Sequence, residues 1–387
     1  MPPTVVFYQS SPRHLYGGQL DILRFFERYD PARLNPVILV PDEGPFVERA
    51  RALGLPVIIR PLPSELARTG GALLQGSAWD RIRQTALLAP WSVSLARWLR
   101  RIRADAFYAN NRRAVLTLGA AAKLARTPIL WHIKQDLDRG RMDALAMRLM
   151  TRAAACSRDV QRAFQQRHPA YADRIDYIPN GVPLESFSRP GPDMRAELGI
   201  PPDARVTGLV GSITPRKGVD LFVEAALRLA QTLPQTHFLV AGDAPDAYHD
   251  FKQRMLARAR PLIDAGRFHF PGWLEDMPAF YRTLDVLALP SRVEGFGLVI
   301  IEAAAAGVPA VRSASGGHTE TTLDGETGFV VPIDDLDALT DRLARLLTDD
   351  ALRRRMGRAA QTYALDNFGL DRFVHALTAA LELISEL

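Results

Sequence analysis

The sequence predicts an α/β protein built as two similar halves, each with a parallel sheet and flanking helices. Short apolar runs alternate with longer amphipathic ones, which is the pattern of βα units. That alternation runs once through the first half of the chain and restarts near Val206. A length of 387 residues is also too great for one comfortable core and suits two domains.

In the first half the predicted strands are Val5 to Tyr8, Val37 to Val40, Val57 to Ile59, Ala106 to Tyr108 and Ile129 to His132. Helical spacing appears between them, as in Gln19 to Arg28 and Phe46 to Leu53. The second series has strands at Val206 to Val210, His237 to Ala241, Phe268 to Phe270, Val286 to Leu289 and Pro309 to Arg312. Between the series, GVPLESFSRPGPDMRAELGIPP concentrates proline and glycine and marks the boundary. The tail FGLDRFVHALTAALELISEL reads as an amphipathic helix, with Phe373, Leu377, Ala380 and Leu381 at helical spacing. These features predict domains at 1–185 and 186–367, followed by a C-terminal helix at 368–387.

Hydrophobic content of 47% with 24% charged residues reads as soluble and globular, and no apolar run is long enough to span a bilayer. The N-terminal stretch MPPTVVFYQSSPRHLYGG has no basic segment followed by a long apolar one, so no signal peptide is expected. A single cysteine, Cys156, excludes an intramolecular disulfide and a cysteine-based zinc cage, and fits a reducing cytoplasm. The net charge of +5 and 48 Lys and Arg imply attraction to polyanions. No zinc finger, helix-turn-helix or RRM-type motif accompanies that charge, so nucleic acid is not an expected partner.

Four stretches carry chemistry. In SRVEGFGLVIIEAAAAGVPAV, a strand ends at Pro290, a glycine-containing loop runs to Gly297, and a helix follows until Gly307. Glu294 falls on the loop and Glu302 about one turn into the helix. Helical geometry over that span would separate their Cα atoms by about 12 Å, whereas carboxyl pairs sharing one glycosidic bond stand roughly 5 to 9.5 Å apart. Contacts to different parts of one extended ligand therefore fit better than a hydrolytic pair. Both residues lie at the carboxyl end of a strand, where open α/β sheets bind ligands. The backbone of Gly295, Phe296 and Gly297 offers free N–H groups at the helix start. The plainer alternative, an exposed loop residue and an exposed helix residue, is strained for Glu302, because IIEAAAAG suggests burial.

The second stretch, GLVGSITPRKGVDLFVEAA, places Arg216 and Lys217 beside a helix start, an arrangement suited to phosphate oxygens or simply to solvated cations. It is neither a Walker A loop nor a GxGxxG fingerprint. Third, Gly17 and Gly18 in YGGQLDILRFFERYD link the first strand to the first helix, either as a tight turn or to let a ligand approach the backbone. Fourth, His132 in PILWHIKQD ends a strand and would face a cleft, or would be structural.

Taken together with YIPNGVP, VGSITPRKG, FPGWLEDMPAFYRTLDVLALPS and GGHTETTLDGETGFVVP, the first stretch resembles the E-x7-E segment and neighbouring motifs of retaining glycosyltransferases of family 4. The resemblance is dense in the C-terminal half and thin in the first, resting there on Gly17-Gly18 and His132. It implies a GT-B architecture, two Rossmann-like domains facing across a cleft, with the nucleotide sugar held mainly by the second and the acceptor by the first. By position, Glu302 would bind the ribose hydroxyls, Glu294 and the Gly295 to Gly297 backbone the donor sugar, and Lys217 the diphosphate. Gly17-Gly18 would approach the donor phosphates or the acceptor, and His132 would lie beside the reacting sugar. Family members usually carry a basic residue where this chain has Ser212, a loss for which Arg216 is the expected compensation.

The implied reaction moves a sugar, with retained configuration and without a metal or cofactor, from a UDP- or GDP-sugar to a hydroxyl of a glycan or lipid-linked acceptor. A cytoplasmic enzyme of envelope polysaccharide or glycolipid synthesis is expected. The segment 71–105 mixes Trp79, Trp91 and Trp98 with arginines, which suits either an anionic membrane surface or a core helix with a solvated basic face. Peripheral contact with the inner face of the plasma membrane is the corresponding expectation. Readings of other classes are a non-catalytic nucleotide-sugar-binding scaffold, a phosphorylase and a sugar-nucleotide epimerase.

Overall fold

The computed structural model describes residues 1–13, 15, 17–63, 77–135 and 140–387. Two compact units emerge: residues 1–181 together with 370–387, and residues 182–369. The two chain crossings lie side by side, since the Val182 N–H donates to the Phe368 carbonyl at 3.0 Å and Val182 bridges Gly369.

The first unit holds a seven-stranded sheet in the order β3-β2-β1-β4-β5-β6-β7. Its strands are β1 (Thr4–Tyr8), β2 (Asn35–Val40), β3 (Val57–Ile59), β4 (Ala106–Ala109), β5 (Ile129–Ile133), β6 (Arg152–Ala155) and β7 (Ile175–Tyr177). Every pairing is parallel, so both faces must be covered by helices. On one face, Phe373, Leu377, Leu381 and Ile384 of helix Leu370–Ser385 are buried with Ile22, Phe25 and Phe26 of helix Gly17–Arg28. Burial of each such side chain contributes about 1.5–3 kcal/mol. Arg33 pairs with Glu382 at 2.5 Å along the rim of this helix.

The second unit holds six parallel strands in the order β10-β9-β8-β11-β12-β13. They are β8 (Arg205–Val210), β9 (Thr236–Ala241), β10 (Phe268–Gly272), β11 (Val286–Leu289), β12 (Ala310–Ser313) and β13 (Gly328–Val331). Phe222, Val223, Ala226 and Leu229 of helix Val219–Thr232 pack with Phe238, Val240 and Phe268 in its core. From β8 the sequence continues to β9 on one side, while β11 lies on the other. The β8/β11 boundary is therefore a topological switch point, where the loops leaving the carboxyl ends of neighbouring strands diverge and leave a crevice.

Three strands, β6, β7 and β13, were not expected from sequence. RAAA has no β-branched residue and IDY is short and carries a charge; GFVV is apolar and branched but short, and it follows a glycine-rich, polar stretch that reads as loop.

Candidate active site

In the second unit, the loop after β8 narrows to a turn at Pro215–Lys217 and enters helix Val219–Thr232 through Gly218. Gly218 has φ +68°, and a Cβ there would lie 2.0 Å from the Pro290 carbonyl oxygen, so only glycine lets this turn close on the end of β11. Arg292 N–H donates to the Arg216 carbonyl at 2.8 Å, and Arg216 Nη1 donates to the Val293 carbonyl at 2.9 Å. Arg292 in turn grips Asp220 at 2.8 Å and Asp334 at 2.6 Å. The two loops are thereby stapled together.

That staple places Lys217 Nζ 2.6 Å from Glu294 Oε2, with both side chains nearly buried. Oε1 of Glu294 accepts the Gly295 N–H at 3.2 Å. Burial pushes the Glu294 carboxyl up, but the charge and hydrogen bond of Lys217, with the charges of Arg216 and Arg312, outweigh it and bring the group down to about 2. Glu294 is an anion at every ordinary pH.

The loop after β12 rests on the same feature. Gly316 has φ +53°, a Cβ there would lie 2.2 Å from the Glu294 carbonyl oxygen, and Gly317 N–H donates to the Gly295 carbonyl at 3.0 Å. Gly297, with φ +88°, opens helix Leu298–Ala305, whose first N–H groups lack helical acceptors. Phe296 is buried and packs edge-on against Phe368 at 5.7 Å between ring centres, so at that position the backbone is what remains for a ligand.

Glu302 is buried on helix Leu298–Ala305, where Tyr281 Oη donates to its Oε2 at 2.8 Å. Tyr281 was not singled out from sequence. Ser212 is half-buried, and its carbonyl accepts the Thr214 hydroxyl at 3.5 Å. Arg216, the expected compensation, turns one arm of its guanidinium to the Val293 carbonyl, while its charge helps to hold the Glu294 carboxyl down. Another cation, Arg312 of β12, lies fully buried beneath the loop.

In the first unit, Gly17 and Gly18 form the first turn of their helix rather than a linking turn. A Cβ at either would meet nothing within 4 Å, so neither packing nor backbone conformation requires glycine there. His132 occupies an interior position, the structural one of its two expected environments. It is the penultimate residue of β5, fully buried, with Nδ1 2.8 Å from Tyr108 Oη and its ring beside Phe373. Burial, and then the charge of Lys134, hold it well below the usual histidine range against the pull of the Ile178 carbonyl, so the ring is neutral. Helix Leu370–Ser385 covers the strand end that the sequence reading left open.

Sequence reasoning also missed a polar group around Lys134, whose Nζ lies 3.1 Å from Asp21 Oδ2 and 2.5 Å from Asn180 Oδ1. Asn180 belongs to the YIPNGVP motif, but its partners are remote in sequence. Among the described residues, no three His, Cys, Asp or Glu side chains form a group able to hold a metal ion, and no helix is long and apolar enough to cross a membrane.

Of the segment 71–105, residues 71–76 lie outside those described, as does the Arg81 side chain. Helix Ala78–Ile102 begins with a capping box between Ser77 and Asp80. Trp79 is 81% exposed, while Trp98 is buried beneath Arg60 and Trp91 donates to the Pro61 carbonyl at 3.0 Å.

Fold and site thus define a two-unit α/β protein with a charged cluster at a strand switch point. The description "Glycosyl transferases group 1" matches residues 191–363, and "Glycosyltransferase Family 4" matches residues 36–186. The chain belongs to this family of GT-B glycosyltransferases. It is 37% identical over 207 residues to the GDP-mannose-dependent alpha-(1-6)-phosphatidylinositol monomannoside mannosyltransferase of Mycolicibacterium smegmatis, covering 50% of this chain and 52% of that protein. To the lipopolysaccharide core biosynthesis mannosyltransferase LpsB of Rhizobium meliloti it is 32% identical over 236 residues, 58% of this chain and 65% of that protein. The chain thus spans about half to two thirds of the length of these curated relatives. Among solved structures, Anabaena HepE in complex with UDP and glucose matches with a TM-score of 0.82 at 23% identity, covering 98% of this chain and all of that one. The lipopolysaccharide glycosyltransferase WaaG matches with a TM-score of 0.72 at 20% identity, covering 97% of this chain and 99% of that one. These likenesses establish the fold.

Proposed function

We propose that this protein is a retaining, metal-independent glycosyltransferase. It moves a sugar from a nucleoside diphosphate sugar to a hydroxyl of a glycan or lipid-linked acceptor in glycolipid or polysaccharide synthesis. The observation that carries this reading is the Lys217–Glu294 pair at the β8/β11 switch point, 2.6 Å apart and nearly buried. A departing diphosphate develops negative charge, and a preorganised cation in a dry crevice stabilises it far better than water does. Lys217 is that cation, and its pairing with Glu294 fixes it before the donor arrives. The anomeric C–O bond to the β-phosphate breaks, the acceptor oxygen bonds to the same face of the anomeric carbon, and the hydroxyl proton passes to the leaving diphosphate or to water. Glu294 orients donor hydroxyls and Glu302, held by Tyr281, the ribose.

The GDP-mannose dependence of the Mycolicibacterium relative supports GDP-mannose as one donor to test, and the HepE complex supports UDP-glucose as another. Acceptor delivery from an anionic membrane surface, by way of exposed Trp79 and the exposed arginines of helix Ala78–Ile102, belongs to the same reading. It places the protein in the cytoplasm, peripheral to the inner face of the membrane. Thermal-shift titration with UDP, GDP, ADP and their sugar conjugates, on wild type and on Glu302→Ala, tests the donor site. Stabilisation by one nucleotide class, reduced in the variant, is expected. No response to any nucleotide would favour a scaffolding role, the second reading, which rests on Ser212 standing where the family usually has a cation.

A further inference from the structure

Arg312 is the largest fully buried side chain among the described residues. It sits on β12, in register with Leu289 of β11 and Val330 of β13. Its Nη1 donates to Thr321 Oγ1 at 2.5 Å, Nη2 to the Ser315 carbonyl at 2.5 Å, and Nε to the Ser313 carbonyl at 3.3 Å. The same guanidinium reaches under the next loop, with Nη1 3.2 Å from where a Cβ on Gly297 would stand.

Burying a guanidinium is costly unless its hydrogen bonds and charge are met. Carbonyl and hydroxyl acceptors meet the hydrogen bonds here. The charge is felt at Glu294, the carboxylate already neutralised at close range by Lys217. Arg312 thus acts on the same carboxylate as Lys217 and Arg216, at a position where Ser212 contributes no charge.

We propose that Arg312 is a positioning residue of the donor site, clamping the Ser313–Gly317 loop beneath the Glu294–Gly297 loop and supplying from below the positive field that Ser212 does not bring. The inference rests on the glycosyl-donor reading of the Lys217–Glu294 pair. A field of this kind acts on the diphosphate and not on the uncharged nucleoside. A guanidinium is suited to the task because its planar fork holds several acceptors at once while its charge persists at any pH.

The test compares dissociation constants of UDP with uridine, and of GDP with guanosine, for wild type, R312M, R312K and R312Q, each first checked for a cooperative thermal transition. R312M is expected to weaken the diphosphate about tenfold while leaving the nucleoside within about twofold. R312K, which keeps the charge, is expected to restore the diphosphate-to-nucleoside ratio, and S212R added to R312M is expected to restore it from the other side. Should R312M fail to fold, R312Q supplies the neutral variant. Equal losses for nucleoside and diphosphate, or wild-type diphosphate binding in the folded neutral variant, would overturn the proposal. K217A distinguishes the two levels: if the diphosphate does not bind wild type, or binds K217A as tightly, the donor reading itself fails. A loss in K217A without one in the Arg312 variants removes only this inference.

Discussion

Lys217 and Glu294 stand 77 positions apart in the chain and 2.6 Å apart in space, each on a loop leaving one of two neighbouring strands. Neither loop could hold its residue there alone. The cross-contacts of Arg216 and Arg292 and the close approach at Gly218 bring the two loop ends into register.

Removing the cation should therefore damage transfer more than folding. K217A is expected to lower kcat by about 100-fold or more, the size of loss typical when one preorganised stabiliser of transition-state charge is deleted. E294Q should cost less in the leaving-group step but weaken the donor sugar. Nucleoside diphosphate release from UDP-glucose and GDP-mannose measures both, and wild-type rates in K217A would refute the assignment.

Acid stability should depend on Glu294. Its carboxyl lies at about 2 in the folded protein against 4.5 for the unperturbed group, so the folded state favours the anion. The resulting stabilisation is fully present above pH 4.5 and is lost as pH falls toward 2, on the order of 3 kcal/mol at most. E294Q should remove that component, so its melting temperature should fall less steeply than wild type's between pH 5 and the acid transition. Parallel curves would contradict the charge assignment.

Tyr281 contributes through Glu302. Y281F deletes a buried 2.8 Å hydrogen bond to the carboxylate, a loss of about 1 kcal/mol or somewhat more. Nucleotide affinity is expected to fall roughly fivefold, with the wild-type preference among bases kept. Calorimetric titration reads both, and a changed base preference would mean that the tyrosine itself touches the base.

Gly218→Ala is the sharpest backbone test. It combines a positive φ with a Cβ placed 2.0 Å from the Pro290 oxygen, so the turn must open. A loss of more than about 1 kcal/mol is expected, together with loss of nucleotide-induced stabilisation. Gly17→Ala, whose Cβ meets nothing, should leave the melting temperature nearly unchanged, and any effect should appear in turnover.

The fold was legible where strands are apolar and branched. Val286 to Leu289 and His237 to Ala241 were read as strands from their composition, whereas Arg152–Ala155 is alanine-rich and forms a strand only because β5 and β7 flank it. Glu294, Lys217 and Glu302 could be picked out because charges in apolar, glycine-punctuated stretches are conspicuous. Their partners could not, since Tyr281 and Arg312 look like ordinary members of a helix and a strand until tertiary contacts assign them. For a related reason the sequence could not choose between the two environments of His132: Phe373, which packs beside its ring, enters from the far end of the chain.

The paired crossings at Val182 and Gly369 make the second unit an insertion whose two ends meet. It is one continuous stretch of polypeptide, whereas the first unit is assembled from two, residues 1–181 and 370–387. The core of that first unit, in which Phe25 and Ile22 are buried with Phe373 and Leu377, is complete only when residues 370–387 are in place. During translation the later-made unit can thus complete its core first, and the amino-terminal half is the last to close.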